Sequence, residues 1–226
     1  IVRVDRDSAR KKYFMKDMHE KISKGGPCIL IGTQMLAKGH DFKHITSVFV
    51  LDTDAELFHP DFKSQERLGQ LLTQVAGRGG RGISSSEIFL QTYYPNHPLL
   101  EKLTNGNYKE FLQEIGKERE ITSMPPFSFV TLIRANSVNE KNVVDFLNLV
   151  KKMVERVEPQ SPQNQYLGPI PSMLEKRAGR YRYNFQIKTH TRSKMHILLT
   201  KLIEQLSKTK SFSNVRWSID VDPIEL

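Results

Sequence analysis

Two apolar runs constrain this chain more than any other feature. Residues 28–32 (Cys-Ile-Leu-Ile-Gly) and 45–51 carry no polar alternation. Such runs mark strands covered on both faces, as in a parallel sheet. Helix-length segments lie around them. Asp7 or Ser8 can cap a helix reaching residue 24, with Tyr13, Phe14, Met18 and Ile22 on one stripe. Gly25-Gly26-Pro27 then ends it. Residues 1–4 and 87–93 read as further strands, and 64–76 as a helix followed by a glycine-arginine turn. Strands alternating with helices predict an α/β layer with right-handed crossovers. Polar groups at the carboxyl ends of such strands line the ligand crevice.

The pattern changes at Met124-Pro125-Pro126, just after a charged helix over 107–121. Proline cannot continue a helix, so the domain boundary is placed there, giving 1–123 and 124–226. The second segment reads as strand 128–135, helix 140–157, strands 166–170 and 183–189, helix 193–207 and strand 215–221. That βαββαβ order predicts a small α+β domain with its helices on one sheet face. Trp217 falls on an alternating strand and is expected in the core.

Composition narrows the function classes. One cysteine, Cys28, excludes an internal disulfide framework and a CxxC zinc site within these residues. It reads as a small core residue and fits a reducing, cytoplasmic compartment. No apolar run approaches the roughly 20 residues of a membrane span. The first residues lack a signal peptide's apolar stretch and look like a strand entering mid-fold, so a longer protein is expected. The seven histidines show no metal-ligand spacing, so no metal site is expected. The net charge of +9 favours polyanionic partners such as nucleic acid.

Three stretches carry chemistry. Gln74-Val75-Ala76-Gly77-Arg78-Gly79-Gly80-Arg81 sets two arginines three apart among glycines. Guanidinium groups bind phosphate oxygens in planar, charge-assisted pairs, and in phosphoryl transfer they neutralise charge on the transferred group. The same pattern is also compatible with a solvated glycine-rich turn. GTQMLAKGHDF, residues 32–42, follows the first apolar run; a threonine and amides at a strand end can hold phosphates. Lys176-Arg177-Ala178-Gly179-Arg180-Tyr181-Arg182-Tyr183 interleaves four basic residues with two tyrosines. Basic groups neutralise phosphates and tyrosines can stack on unpaired bases; an exposed basic hairpin with tyrosines packed on its sheet is the alternative, and Tyr183 is read as pointing inward.

In this order, the first two stretches resemble motifs V and VI of superfamily 2 helicases. GTQMLAKGHDF, LDTDAELFHPDFKSQERLGQLLTQVAGRGGR, KRAGRYRYNFQI and the ending WSIDVDPIEL are similar to the primosomal replication-restart DNA helicase family, PriA, across essentially the whole chain. Gly79 departs from that pattern, where alanine is usual. The resemblance implies a partial RecA-like second helicase lobe followed by an S10-like C-terminal domain. It implies that Arg78, Arg81 and Gln74 serve catalysis, facing the γ-phosphate of ATP. Gly39, Asp41 and Gly77 would couple ATP to motion. Thr33, Gln34 and Lys38 would face the DNA strand or the interlobe cleft. The C-terminal domain would help bind forked DNA, for which Lys176, Arg177, Arg180 and Arg182 are the candidate contacts. Arg192 would bind the acidic tail of single-stranded-DNA-binding protein.

No GxxxxGK[ST] loop or DExH box occurs among these residues. The resemblance therefore implies ATP and Mg2+ held mainly by an upstream lobe, and zinc in an upstream module. It further implies 3′-to-5′ movement, forked DNA and other primosome proteins as partners, and a bacterial, nucleoid-associated setting. This stretch alone is expected to be inactive. A non-enzymatic nucleic-acid or protein-interaction module is the alternative.

Overall fold

The computed structural model describes residues 1–4, 14, 18, 20, 22, 26–33, 46–79, 87–209 and 212–225, with backbone alone for 77–79. Contacts divide the chain into two compact units, Ile1–Gly116 and Lys117–Leu226.

In the first unit, β1 (Val2–Val4) pairs parallel with β2 (Leu30–Gly32), and β3 (Ser47–Val50) pairs parallel with β4 (Glu87–Leu90). Parallel pairs separated by helices are what the continuous apolar runs predict. Their burial is not. Cys28 is exposed, and Ile29 and Ile31 are 60% and 53% exposed. Among the described residues, β2 has β1 as its one strand neighbour, and a two-stranded ladder cannot cover both faces of a strand. β3 likewise alternates exposed and half-buried: Phe49 stacks on Phe89 at 4.8 Å in the open, while Val50 and Leu90 turn inward.

Phe14, Met18, Glu20 and Ile22 are helical, as the apolar stripe predicts, and Met18 is buried. Tyr13 and the predicted cap lie outside the described residues. Two short helices escape the sequence reading: α1 (Thr53–Leu57) and α3 (Pro98–Thr104). Proline reads as a breaker, yet at the first helical position its missing N–H costs nothing. His97 caps α3 there, its Nδ1 accepting from the Leu99 N–H at 3.3 Å. Helix α2 (Ser64–Gly79) and the part of α4 (Tyr108–Ile121) up to Gly116 complete the unit. Its core gathers Leu57, Leu68, Leu72, Leu99, Leu100, Phe111 and Ile115.

The second unit runs β5 (Phe129–Ser137), α5 (Glu140–Val157), β6 (Asn164–Arg177), β7 (Arg180–Thr189), α6 (Arg192–Ser207), β8 (Arg216–Val221). The antiparallel sheet has the order β6-β7-β5-β8, the split βαβ arrangement. Helix α5 buries Val143, Phe146, Leu147, Val150 and Val154, and α6 buries Met195, Leu198 and Leu202. Both pack on the sheet face carrying Ile133, Ala135, Phe185 and Ile187. Side chains alternate across a strand, so Arg134, Asn136, Asn184 and Gln186 take the opposite face.

Strands β6 and β7 are longer than predicted because their hydrogen bonding continues to Arg177↔Arg180. Ala178 (φ 49°) and Gly179 (φ 73°) form the tip; two successive positive φ values suit a tight two-residue hairpin loop. Trp217 corrects the expectation of a core residue. It lies on edge strand β8 and is 41% exposed, with its ring 6.0 Å from Phe146 at the rim of the core.

Candidate functional site

Helix α2 carries the first candidate group, and its start is locked by a polar network. The Asp61 carboxylate, buried, accepts from the Lys63 N–H at 3.1 Å and from Arg67 Nη1 at 2.8 Å. Ser64, also buried, donates its hydroxyl to Glu56, and Arg67 Nε lies 3.8 Å from the same carboxylate. Leu68 and Leu72 then anchor the next turns in the core. Beyond Leu72 the helix emerges, and Gln74 is exposed. The helix also runs further than predicted. Gly77 and Arg78 lie within it, since it ends at Gly79 rather than at residue 76. Each added residue gains another backbone hydrogen bond, and two glycines do not offset this. Position 78 therefore stands about one turn beyond Gln74 on the same helix. The Arg78 side chain and Arg81 lie outside the described residues.

Thr33 is exposed directly after β2. Gln34, Lys38, Gly39 and Asp41 lie outside the described residues. At the carboxyl ends of β3 and β4, Asp54 accepts from the Thr92 hydroxyl and from the Tyr93 N–H at 2.8 Å. Gln91 Oε1 accepts from the Asp52 N–H at 3.2 Å. These groups tie the two strand ends together, so Asp54 is a structural clamp.

The basic hairpin of the second unit is divided by strand alternation. Lys176 registers with Tyr181, and its Nζ sits 4.4 Å over that ring and 3.3 Å from the hydroxyl. Tyr181 packs toward the helix-side core, and Tyr183 is buried. Both tyrosines thus face the helix side, Tyr181 partly buried and Tyr183 buried, and the inward reading of Tyr183 holds. Burying its phenol against Glu140, to which it donates a hydrogen bond, pushes the Tyr183 pKa up to about 12, with the hydrogen bond the larger cause. Arg177 and Arg180 register with each other on the opposite side, where Arg182 follows.

That opposite face adds residues missing from the sequence reading. Asn136 stands opposite Arg182 on one side and Arg216 on the other. Arg180 Nε donates to Asn136 Oδ1 at 2.6 Å, and its Nη2 to the Asn136 carbonyl at 3.2 Å. Alternation along 215–221 was the available signal, but sequence cannot say which strands adjoin β8. The other end of the face is closed: Val130, Leu132 and Lys188 are buried. Lys188 Nζ reaches the Thr122 carbonyl at 3.3 Å, and burial lowers its pKa.

Arg192 opens α6, behind the cap Thr191. Its guanidinium lies 4.8 Å over the Phe129 ring and pairs with Asp222 at 3.1 Å, with the side chain 68% exposed. Among the described residues, no three His, Cys, Asp or Glu side chains are grouped to hold a metal, and no helix is long and apolar enough to cross a membrane.

Comparisons with known proteins agree along the whole chain. Residues 120–224 match the family described as the primosomal protein N C-terminal domain. Replication restart protein PriA of Haemophilus influenzae is 38% identical over 226 residues, covering 100% of this chain and 30% of its own length. The Synechocystis protein of the same name is 34% identical, covering 100% and 26%, and the Bacillus subtilis protein 32% identical, covering 99% and 28%. The chain thus spans less than a third of these relatives. With one continuous match across both units, and the named C-terminal domain in the second, the chain is a C-terminal segment belonging to the PriA replication restart family.

Proposed function

We propose that this chain supplies the second motor lobe and the C-terminal DNA-contacting domain of an ATP-dependent superfamily 2 DNA helicase. The whole protein moves 3′ to 5′ and acts in replication restart and primosome assembly at stalled forks. The observation that carries this reading is helix α2. Its start is fixed by the Asp61–Arg67 pair, and its solvent-facing end presents Gln74 one turn before position 78. A guanidinium on a rigidly seated helix meets phosphate oxygens with little loss of rotamer freedom.

In this reading the first unit is a RecA-like lobe, partial in this chain. Arg78 and Arg81 neutralise γ-phosphate charge, and Gln74 links that phosphate to DNA. Gly39, Asp41 and Gly77 couple the nucleotide to lobe movement, while Thr33, Gln34 and Lys38 face the DNA strand. ATP and Mg2+ are held mainly by residues outside this chain, which supplies the arginine half of the site. Zinc belongs to a different module of the whole protein. The second unit contacts forked DNA through its basic hairpin, and Arg192 receives the acidic tail of single-stranded-DNA-binding protein in place of Asp222. The setting is the bacterial cytoplasm, at the nucleoid.

The test is Arg81→Ala in the full-length protein. DNA-stimulated ATP turnover is expected to fall by at least about a hundredfold, with DNA affinity within about twofold of wild type. Retained turnover, or loss of DNA binding alone, overturns the motor reading in favour of an interaction module. The isolated chain is expected to hydrolyse no ATP.

A further inference from the structure

The sheet of the second unit has one face under α5 and α6; the other face is closed at the end holding Val130, Leu132 and Lys188, while Arg216 at its other end is exposed. The open end of the second face is built from donors. Arg182, Asn136 and Arg216 form one row across β7, β5 and β8. Neighbouring strands lie about 4.8 Å apart, so the row is roughly 10 Å wide. Arg180 occupies the Asn136 oxygen from the next position along β7, which leaves the carboxamide N–H groups as donors. Arg177, opposite Arg180, extends the row into the hairpin. Asp220, the acidic residue registered on this face of β8, is engaged by Arg134 at 3.2 Å. Among the described residues neither Arg182 nor Arg216 has a carboxylate partner, and Arg216 is exposed.

Composition of the face narrows the ligand. Side chains registered here on β5, β7 and β8 include no aromatic ring: Arg180, Arg182, Asn184, Gln186, Arg134 and Ser218 are typical. Where a four-stranded sheet binds single strands through bases, as in the RNA-recognition motif, the bases stack on sheet aromatics. This face has none, and its tyrosines lie on the other side. It offers guanidinium and amide donors, which suit phosphate oxygens.

We propose that the open sheet face, centred on the row Arg182–Asn136–Arg216, is a binding site for the sugar-phosphate backbone of single-stranded nucleic acid. This rests on the nucleic-acid reading above and assigns it a place and a mode. Binding follows the backbone, is indifferent to base identity, and depends steeply on salt. Arg180 is a positioning residue that fixes the Asn136 amide. The hairpin residue Lys176 is held on the Tyr181 ring, on the other side of the hairpin from this row.

The experiment is fluorescence anisotropy of the full 226-residue chain with labelled oligothymidine and oligoadenosine across a salt series. Each lost phosphate contact on a single strand reduces the slope of log affinity against log salt by about 0.7. Arg182→Ala with Arg216→Ala is therefore expected to reduce it by about 1.4 and to weaken binding roughly tenfold at low salt. Arg182→Lys with Arg216→Lys keeps both charges and is expected to retain most of the slope, which separates loss of contact from loss of fold. Lys201→Ala, at an exposed position of α6 outside the row, is expected to leave affinity within about twofold. Unchanged affinity in the double alanine variant, or an equal loss in Lys201→Ala, overturns the face while leaving nucleic-acid binding standing. Wild-type chain that ignores both oligonucleotides but binds polyglutamate overturns the nucleic-acid reading of this unit and assigns the arginines to an acidic peptide. Several-fold preference for one base overturns the backbone mode.

Discussion

Gly69 of α2 lies directly against the ring of Phe111 on α4, so closely that a Cβ at residue 69 would overlap the ring and stand 2.8 Å from Cζ. Phe111 is fully buried, so the ring cannot swing clear. Replacing glycine by alanine inside a helix ordinarily gains about 1 kcal/mol, whereas overpacking a tight core costs about 1–3 kcal/mol. Gly69→Ala is expected to destabilise the first unit by roughly 1–2 kcal/mol, read as a lower denaturation midpoint. Adding Phe111→Leu should make the effect of alanine at 69 smaller. A stabilising Gly69→Ala would show that the two helices pack less closely than this.

Asp61 holds the start of the same helix. Removing a wholly buried charge partner costs about 3–5 kcal/mol. The Arg67 side chain keeps 31% exposure, so water recovers part of that. Asp61→Ala is expected to cost roughly 2 kcal/mol, and Asp61→Asn less, because the amide oxygen still accepts from the Lys63 N–H. If Asp61→Ala leaves the unfolding midpoint of the chain unchanged, the network does not seat α2.

Two tyrosines make the second unit sensitive to alkali. Burial, then the charges of Glu158 and Glu155, push Tyr166 up to about 12. Tyr183 reaches the same value through Glu140. The unfolded value is 10.0, so the folded state favours the neutral phenols. Their stabilisation is fully present below about pH 10 and is lost as pH rises from there toward about 12. Unfolding midpoints measured over that window should fall, and Tyr183→Phe should flatten the fall. A midpoint independent of pH in the window would contradict both assignments.

Arg192 is shared between Phe129 and Asp222. An exposed pair of this kind contributes about 0–1 kcal/mol, so Arg192→Glu should barely alter folding. Binding of an acidic tail peptide, followed by anisotropy, should weaken by about tenfold or more when attraction becomes repulsion. Asp222→Ala should strengthen it by removing the competitor. Equal peptide affinity in both variants would take Arg192 out of the partner site.

Periodicity determined much of this protein. The helix read at 140–157 coincides with α5, because 3.6-residue spacing is a local property; in the structure the Asn139 side chain caps its start, accepting from the Lys141 N–H. The motif wording at 32–42 and 74–81 placed the chain in its family before any contact was known. Tertiary structure decided what local spacing cannot contain. Cys28 and Ile31 look buried in sequence, yet burial depends on which strands lie alongside, and Trp217 lost its core position for the same reason: β8 is an edge. The basic cluster at 176–182 reads as one patch along the chain. Hairpin register split it, sending Lys176 and the tyrosines to one side and Arg177, Arg180 and Arg182 to the other. Asn136 and Arg216, distant in sequence, joined that second group only because β5 lies between β7 and β8. Alternation is written in each strand, but neighbourhood is set by the order in which strands pair, a global choice.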